Sequence, residues 1–352
     1  MSVTFLLPGN VDDPTAVSGG NVYGLRMCER LRARKIAVPG GWPQGDPADL
    51  TESLAAVPDG GVVVIDGLVG CAWPEVITPA AHRLRIAVLV HLPLGDEAGL
   101  DPAVATDLDT REWATLRAVR AVVATSPWSA RRLVEHHDLD PFRVHSVPPG
   151  TDPAPLATGT DGRSRLLCVA ALTPHKGQDL LVEALAEVAD LPWTCACVGP
   201  LRRDPAFVER VRALIERHGL TDRLVLAGPR RGEALEAGYA RADLVVLPSH
   251  NETYGMVVAE ALARGIPVLA NAAGAIPDTL GRVPDGRVPG ILVPTRDRAA
   301  FAAALRRWLT EPGLPNQLRA AAVQRRQALR GWAEAARDLS DVLENLESTW
   351  AA

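Results

Sequence analysis

Short apolar runs alternate with longer segments of helical character along the whole chain. Because parallel strands need helical crossovers, this alternation predicts α/β layers with mainly parallel sheets. A first series of strands is predicted at 3–7, 61–65, 85–90, 121–124 and 144–147, with helices at 22–34, 111–117 and 129–136. A second series is predicted at 165–169, 194–198, 224–226, 244–247, 268–270 and 290–293, with helices at 178–189, 204–218, 231–240 and 257–264.

Residues 151–163 are rich in Pro, Gly, Thr and Asp, and this composition is typical of an interdomain linker. The chain from 298 onward is predicted to be helical, with a break near Pro312 and Pro315. We therefore predict two Rossmann-like domains. The first comprises 1–150 together with a last helix at about 332–352, and the second comprises 151–331.

Composition narrows the class of protein. A hydrophobic content of 47% is ordinary for full cores, and a net charge of -5 argues against nucleic acid as a main partner. The N-terminus has no basic start followed by a long apolar stretch, and no apolar run approaches membrane length, so we expect a cytoplasmic protein. The five scattered cysteines are expected to be buried and reduced, without a metal at Cys195 and Cys197.

The segment 248–268 is the most informative part of the sequence. It joins a buried strand to a helix through a loop that contains Gly255, and the free amides of a helix start favour an anion. Glu252 and Glu260 flank these amides, and carboxylates suit neutral hydroxyls on either side of a phosphate. A nucleotide sugar has this layout, with Glu252 on the sugar and Glu260 on the ribose. The diphosphate would bind the amides of Tyr254, Gly255, Met256 and Val257. The alternative is a helix cap beside a solvated Glu.

Three further places carry candidate chemistry. Gly19 and Gly20 precede the first helix and favour a close approach of anions, although a plain loop is the alternative. The chain has two lysines against 35 arginines, and Lys176 lies in a strand-to-helix loop where its ammonium would neutralise a diphosphate; a surface charge is the alternative. His91 ends an apolar strand, where open α/β sheets place ligands; a satisfied buried histidine is the alternative.

Glu252 and Glu260, in this setting, resemble the signature of the retaining glycosyltransferases of family GT4. The resemblance implies a GT-B fold, in which two Rossmann-like domains face each other across a cleft and the helix from Trp332 crosses back to the first domain. It also implies that Gly19 and Gly20 close on the donor diphosphate, and that His91 lies near the reacting face of the sugar. Thr173 and Gly199 join the predicted donor site. Ala171 departs from the family, which often has an Arg there, and Arg230 or Arg231 would substitute.

The resemblance implies a hexosyltransferase that moves a sugar from a UDP- or GDP-sugar to a hydroxyl of a small molecule, glycan or lipid. The anomeric configuration is retained, and no metal or other cofactor is expected; His91, Lys176 and Glu252 are the predicted catalytic residues. A GT-B phosphorylase or hydrolase, or a noncatalytic nucleotide-sugar-binding protein, is the alternative. Residues expected to line an acceptor pocket are Asn21, Tyr23, Asp66, Trp73 and the segment 94–101.

Two charge patterns complete the predictions. Arg26, Arg30 and Arg34 would form a stripe on the first helix, suited to weak contact with an anionic membrane surface or, alternatively, to solvent. The Asp-Leu-Asp sequences at 107–109 and 138–140 have the form of a metal motif that belongs to a different fold. We therefore expect them to be solvated charges.

Overall fold

The computed structural model describes residues 2–13, 18–97 and 99–348. The chain divides into two compact units. Unit 1 comprises Met1–Gly150 and Arg330–Ala352, and unit 2 comprises Thr151–Leu329. The chain thus returns to unit 1 at Arg330, slightly before the predicted Trp332. The acceptor-binding and donor-binding roles given to the two parts stay predictions.

Unit 1 contains a parallel sheet of six strands in the order β2-β1-β3-β4-β5-β6. Every residue of β1, β3 and β5 is buried, and all of them except Thr4 and Asp66 are apolar, as expected for strands that are covered on both faces. The strand bounds are β1 Val3–Pro8, β2 Arg34–Val38, β3 Val62–Asp66, β4 Arg85–Val90, β5 Ala121–Ala124 and β6 Val144–Ser146.

Strand β2 was missing from the predictions, which extended the first helix to Arg34. The helix instead ends at Leu31, and Arg32 caps it in the left-handed conformation with φ 50°. Arg34 and Lys35 are exposed because β2 lies at the edge of the sheet, so the strand has little apolar signal. The predicted stripe of three arginines on one helix is therefore wrong, since Arg34 belongs to the strand.

The helices that cover the first sheet begin where the sequence offers caps. Asp46, Asp101 and Ser126 each precede a proline, and each side chain accepts a hydrogen bond from a first-turn amide. The bounds are α1 Gly19–Leu31, α2 Pro47–Ala55, α3 Gly67–Gly70, α4 Pro74–Ala80, α5 Pro102–Ala118 and α6 Pro127–His137, with 3₁₀ turns at Leu94–Asp96 and Pro141–Arg143.

Unit 2 contains a second parallel sheet of six strands, in the order β12-β11-β10-β7-β8-β9. All six strands of the second predicted series are confirmed, because their β-branched and leucine-rich runs are long enough to stand out from the helices. The bounds are β7 Arg165–Val169, β8 Thr194–Val198, β9 Leu224–Gly228, β10 Leu244–Leu247, β11 Val268–Asn271 and β12 Gly290–Val293.

The helices of unit 2 pack on both faces of this sheet and form its hydrophobic cores. The predicted break near Pro312 and Pro315 is confirmed, because one helix ends at Thr310 and the next begins at Leu314, with Pro315 in its first turn. The bounds are α7 Gln178–Ala186, α8 Pro205–Arg217, α9 Gly232–Ala240, α10 Met256–Ala263, α11 Ile276–Leu280, α12 Arg298–Thr310 and α13 Leu314–Arg325, with 3₁₀ turns at Pro174–Lys176 and Arg326–Ala328.

The last helix, α14 Trp332–Ser348, belongs to unit 1. Its first residue is buried, and the Trp332 ring meets the edge of Tyr23 in α1 at a centroid distance of 6.0 Å. The backbone of Gly150 passes so close that a Cβ there would lie 2.3 Å from the Trp332 nitrogen. The last helix therefore belongs to the first unit, as predicted. Residues 349–352 of the predicted helix lie outside the described residues.

Candidate functional site

The order of strands in unit 2 places its candidate site. β7 lies at the centre, with β8 and β9 on one side and β10 to β12 on the other, which is the order of dinucleotide-binding Rossmann sheets. In such a sheet ligands bind at the carboxyl ends of the two central strands, where the order reverses. Lys176 follows β7 and Glu252 follows β10, so the sequence order alone brings these two predicted residues to the same crevice.

Lys176 and Glu252 form an ion pair. The Lys176 Nζ donates to the Glu252 Oε1 at 2.6 Å, and the two side chains are only 22% and 11% exposed. Partial burial makes each charge depend on the other, since an unpaired charge there would be poorly solvated. The sequence analysis assigned Glu252 to the sugar and Lys176 to the diphosphate, and the structure shows the two side chains in direct contact.

The loops that carry this pair are fixed by close backbone packing. Gly177 has φ 68°, and a Cβ there would lie 2.4 Å from the Pro248 carbonyl oxygen. The Asn271 side-chain amide, at the end of β11, donates to the carbonyls of Pro248 and Ser249 at 2.6 and 3.1 Å. The Ala275 amide donates to the Glu252 carbonyl at 2.9 Å. The carboxylate of Glu252 is therefore presented from a braced loop.

Helix α10 starts beside this loop without a side-chain cap. Gly255 occupies the capping position with φ 85°, and a Cβ there would lie 2.4 Å from the Ile276 Cδ1 atom. The half-buried Met256 and Val257 begin the helix, and the carbonyl of Tyr254 is held by the Thr279 hydroxyl at 2.6 Å. A helix start of this kind presents backbone amides and the positive end of the dipole to an anion.

Glu260 lies one turn into α10, and the sequence did not reveal its partner. The hydroxyl of Tyr239, a fully buried residue of α9, donates to the Glu260 Oε2 at 2.6 Å. Burial raises the pKa of Glu260, while the Tyr239 hydrogen bond and the Arg264 guanidinium oppose that rise. Arg264 lies over the Tyr239 ring at 4.3 Å and donates to the Glu260 carbonyl oxygen at 2.8 Å.

Two histidines next to the ion pair were also missed. Burial, with Lys176 as the next cause, lowers the pKa of His175 to about 4, and burial lowers the pKa of His250 as well. The His250 amide donates to the His175 carbonyl oxygen at 2.7 Å. His175 is adjacent to Lys176 in the sequence, and this proximity was the only available signal. Both rings are neutral at pH 7, so they add no positive charge to the site.

The remaining residues of the predicted donor site lie in the loops that follow β7, β8 and β9. Thr173 is buried, and its hydroxyl has no hydrogen-bond partner among the described residues. Gly199 directly follows β8. It packs so closely against Ala170 that a Cβ on Gly199 would lie 2.0 Å from the Ala170 carbonyl oxygen. Arg230 and Arg231 are exposed after β9.

In unit 1 the strand order changes direction between β1 and β3. Gly20 follows β1, Asp66 ends β3 and His91 follows β4. A Cβ on Gly20 would lie 3.0 Å from the His91 Cδ2 atom, so the glycine lets the helix start approach the ring. The His91 Nε2 lies 3.5 Å from the Asp66 Oδ2, which is longer than a normal hydrogen bond. Gly20, Asp66 and His91 therefore share one site.

Ser18 caps α1, because its hydroxyl oxygen accepts from the Asn21 amide at 3.0 Å. The cap leaves the amides of the exposed Gly19 and the half-buried Gly20 without an intrahelical partner. The half-buried Asn21 thus stands in the first turn, where its backbone amide is already used by Ser18.

Two predicted acceptor residues have structural partners instead. Tyr23 is fully buried, its hydroxyl donates to the Val147 carbonyl at 3.0 Å, and its ring meets His91 at 5.3 Å. Asp66 is buried and accepts from the Leu68 amide at 2.9 Å. Both side chains are buried and lie beside His91, so the structure gives them a supporting position, and their contact with an acceptor stays a prediction.

Trp73 packs against the core of unit 1, with the Arg111 guanidinium 5.9 Å from its ring. Its indole nitrogen is buried and has no hydrogen-bond partner among the described residues. Within the predicted acceptor segment, residues 94–97 and 99–101 are described and Ala98 lies outside the described residues. Nothing in this geometry selects an acceptor.

The Asp-Leu-Asp sequences have ordinary helical roles. Asp107 pairs with Arg111 one turn later at 2.8 Å, and Asp140 accepts from the Phe142 amide at 3.0 Å. Asp138 is the residue that caps the C-terminus of α6, in the left-handed conformation. Asp109 differs, because its carboxylate lies within hydrogen-bond distance of the His136 ring, at 2.6 Å.

Within the described part of the chain, no helix is long and apolar enough to cross a membrane.

Comparison with known proteins finds similarity to glycosyltransferases. Residues 158–325 match the family described as Glycosyl transferases group 1. A D-inositol 3-phosphate glycosyltransferase from Salinispora tropica is 32% identical over 298 residues, which are 77% of this chain and 59% of that protein. A protein of the same name from Geodermatophilus obscurus is 35% identical over 255 residues, 66% of this chain and 54% of that protein. The chain therefore spans less than two thirds of these relatives.

Solved structures match the whole fold. A sucrose-phosphate synthase from Thermosynechococcus elongatus aligns with a TM-score of 0.80 at 22% identity, over 99% of this chain and 100% of that chain. Anabaena Alr3699/HepE in complex with UDP and glucose aligns with a TM-score of 0.77 at 18% identity, over 98% of this chain and 100% of that chain. The predicted GT-B fold class is confirmed.

The lowered pKa of His175 predicts that this protein loses stability in mild acid. The unfolded chain takes up a proton near the ordinary histidine value of 6.5, whereas the folded state resists it down to about 4. The free energy of unfolding therefore falls as pH drops through this window, by on the order of 1–2 kcal/mol at pH 5. In urea titrations at pH 7 and pH 5, His175→Asn should show a smaller loss than the wild type. The exposed His218→Asn is the control; an equal loss in His175→Asn and wild type would contradict the assignment.

Proposed function

We propose that this protein, whose residues 158–325 match the family described as Glycosyl transferases group 1, is a member of that family and transfers a sugar from a nucleotide-diphosphate sugar to a hydroxyl acceptor. We further propose that the anomeric configuration is retained and that no metal takes part. The observation that carries the proposal is the Lys176–Glu252 ion pair, 2.6 Å long, at the reversal point of a Rossmann sheet and next to the uncapped start of α10.

The α10 start and Lys176 supply the positive charge for a diphosphate. Backbone amides bind phosphate oxygens without a side chain, and Gly255 allows the ligand to approach them closely. Lys176 adds a full positive charge from the next loop. A cation held in a partly buried position stabilises charge that develops on a leaving group more strongly than a solvated one does. The leaving nucleoside diphosphate is the group in this reaction that gains charge.

Glu252 has two functions in this proposal. Before the donor binds, its carboxylate keeps Lys176 in place and offsets the cost of burying the ammonium. When a diphosphate takes over the contact with Lys176, a carboxylate oxygen becomes available to accept hydrogen bonds from the sugar hydroxyls. The anomeric bond to the phosphate breaks, the acceptor oxygen bonds to the same face of the sugar, and the departing phosphate oxygen takes the acceptor's proton.

Glu260 would hold the ribose hydroxyls. Its Oε2 accepts from Tyr239 at 2.6 Å, and we assign Oε1 to the ribose. A fixed carboxylate loses less conformational entropy on binding than a mobile one does. In unit 1, His91 is the side chain that we assign to the reacting sugar, positioned by Gly20, Tyr23 and Asp66.

The relatives suggest which substrates to test first. The UDP-bound neighbour makes UDP-sugars the first donors, and the relatives named D-inositol 3-phosphate glycosyltransferase make an inositol phosphate the first acceptor. We expect UDP release to depend on the acceptor, the product to retain the anomeric configuration by NMR, and the rate to be unchanged by EDTA. Phosphate-dependent or acceptor-independent turnover would indicate a phosphorylase or hydrolase, and a strict need for a divalent metal would contradict the mechanism.

Removing either member of the ion pair should slow transfer. Lys176→Ala and Glu252→Ala are each expected to lower kcat at least about a hundredfold, the scale of one preorganised charge contact. The matched control is Lys35→Ala, since Lys35 is the other lysine and pairs with Asp12 at 2.6 Å on the exposed surface of unit 1. Steady-state kinetics and melting temperatures are measured on all variants.

A double variant separates catalysis from folding. Lys176→Ala leaves a poorly solvated carboxylate, and this alone destabilises the protein. The Lys176→Ala/Glu252→Ala variant should therefore melt at a higher temperature than Lys176→Ala and yet remain as slow. Recovery of the rate together with stability would mean that the pair is only structural, and wild-type rates in both single variants would reject the site.

Tyr239 should tune nucleotide affinity through Glu260. Tyr239→Phe removes a hydrogen bond to a carboxylate, so we expect UDP to bind about tenfold more weakly. The loss should increase as pH falls, because without this hydrogen bond the already raised pKa of Glu260 rises further. Tyr23→Phe is the matched control, since it also deletes a buried tyrosine hydroxyl but lies in unit 1. Calorimetric titration with UDP gives the result; equal affinity in Tyr239→Phe and wild type would contradict the role.

A further inference from the structure

Two helices of unit 1 bring together three side chains of the kinds that bind transition metals. Asp109 lies on α5, and His136 and His137 are the last two residues of α6. One ligand atom from each lies within 4.8 Å of the others. Across residues 2–13, 18–97 and 99–348, this is the only group of three or more His, Cys, Asp or Glu side chains that meets this distance.

Each histidine already faces a carboxylate of α5. The Asp109 Oδ1 lies 2.6 Å from the His136 Nε2, and the Glu112 Oε1 lies 3.0 Å from the His137 Nε2. The two imidazole rings are inclined at 66° to each other, with centroids 4.6 Å apart. Asp109 and Glu112 are three positions apart on one helix, so they present their carboxylates on the same face.

We propose that Asp109, His136 and His137 bind a zinc ion at the α5–α6 contact. Two imidazoles and a carboxylate form a donor set that zinc accepts, with a fourth position left for water. Bonds of about 2.0–2.1 Å in a tetrahedron put ligand atoms roughly 3.3 Å apart. The three ligand atoms lie within 4.8 Å of one another, so binding would require the exposed side chains to move closer to the buried His137.

Burial differs among the ligands in a way that suits metal entry. The side chains of His136 and Asp109 are 47% and 38% exposed, whereas His137 and Glu112 are each 1% exposed. An ion can therefore approach from solvent, and the two exposed ligands can move to meet it. The buried His137 supplies a fixed ligand on the protein side.

Glu112 would support the site without binding the ion. Histidines that bind a metal through one ring nitrogen usually have the other nitrogen bonded to a carboxylate. The Glu112 Oε1 makes this contact with the Nε2 of His137, and its Oε2 accepts from the Leu94 amide at 2.9 Å. The carboxylate is thus held on both sides, which fixes the orientation of the His137 ring.

Binding would stabilise unit 1 and would be separate from sugar transfer. The ion would link α5 to α6, and Glu112 connects the same place to the 3₁₀ turn at Leu94–Asp96. Arg132 of α6 also pairs with Asp96 of that turn at 2.7 Å. A ligand that binds only the folded state raises its stability by mass action, so zinc should raise the melting temperature.

The test is calorimetric titration of tag-free, EDTA-treated protein with zinc chloride, with magnesium chloride as a hard cation for comparison. We expect one zinc per chain, no comparable magnesium binding, and a higher melting temperature with zinc. His136→Ala and the isosteric Asp109→Asn should each weaken zinc binding at least about tenfold, and Glu112→Gln by about 10–100-fold. The control is His82→Ala, an exposed histidine of the same unit.

Three results would overturn the proposal. They are undetectable zinc binding by the wild type, unchanged affinity in both His136→Ala and Asp109→Asn, or magnesium binding as tight as zinc. The exposed positions of Asp109 and His136 make these two variants unlikely to unfold the protein, and circular dichroism verifies this for each. The five cysteines are buried in the folded chain, so native protein does not bind zinc through them.

Discussion

The ion pair of Lys176 and Glu252 connects the ends of β7 and β10, and the surrounding loops are built around it. Parallel sheets leave a crevice where the strand order reverses, and the polar ends of two strands meet there. In this protein the crevice contains a cation and a carboxylate 2.6 Å apart, with little exposure. Neither group can be lost alone without leaving a poorly solvated charge. Gly177 and Ala275 hold the two loops through backbone contacts, and Asn271 does so through its side-chain amide.

The chain segments next to Lys176 and Glu252 also contain neutral polar side chains. His175 and His250 are kept neutral at pH 7 by burial, so they add no positive charge to that of Lys176. Three buried side-chain oxygens have no hydrogen-bond partner among the described residues: the hydroxyls of Thr173 and Ser249 and the side-chain amide oxygen of Gln178. Buried polar atoms are normally satisfied, so these three are suited to bonds with a ligand or with ordered water.

Local signals explain which parts of the fold and site the sequence could predict. The strands of unit 2 are buried apolar runs, and Lys176, Glu252 and Gly255 lie in short loops directly after such strands, so pattern and chain order were sufficient. Strand β2 was missed because an edge strand with Arg34 and Lys35 exposed has no apolar run. The Tyr239–Glu260 contact joins two helices, and no local pattern specifies how α9 packs against α10. The burial of Tyr23 was missed for the same reason, since it depends on which face of α1 meets the sheet.

Both sheets have a point where the strand order reverses, and the side chains near that point differ between the two units. In unit 2 the reversal lies between β7 and β10, and the strand ends there present the charged pair. In unit 1 it lies between β1 and β3, and the nearby strand ends present Gly20, Asp66 and His91. Asp66 is committed to the Leu68 amide and faces His91, so the imidazole is the group that unit 1 offers a ligand. Charge that develops on a phosphate is stabilised by fixed cations and amides, whereas neutral hydroxyls donate to acceptors such as a carboxylate oxygen or an imidazole nitrogen. The same strand-order rule therefore places a charged pair at the reversal point of unit 2 and an imidazole near the reversal point of unit 1.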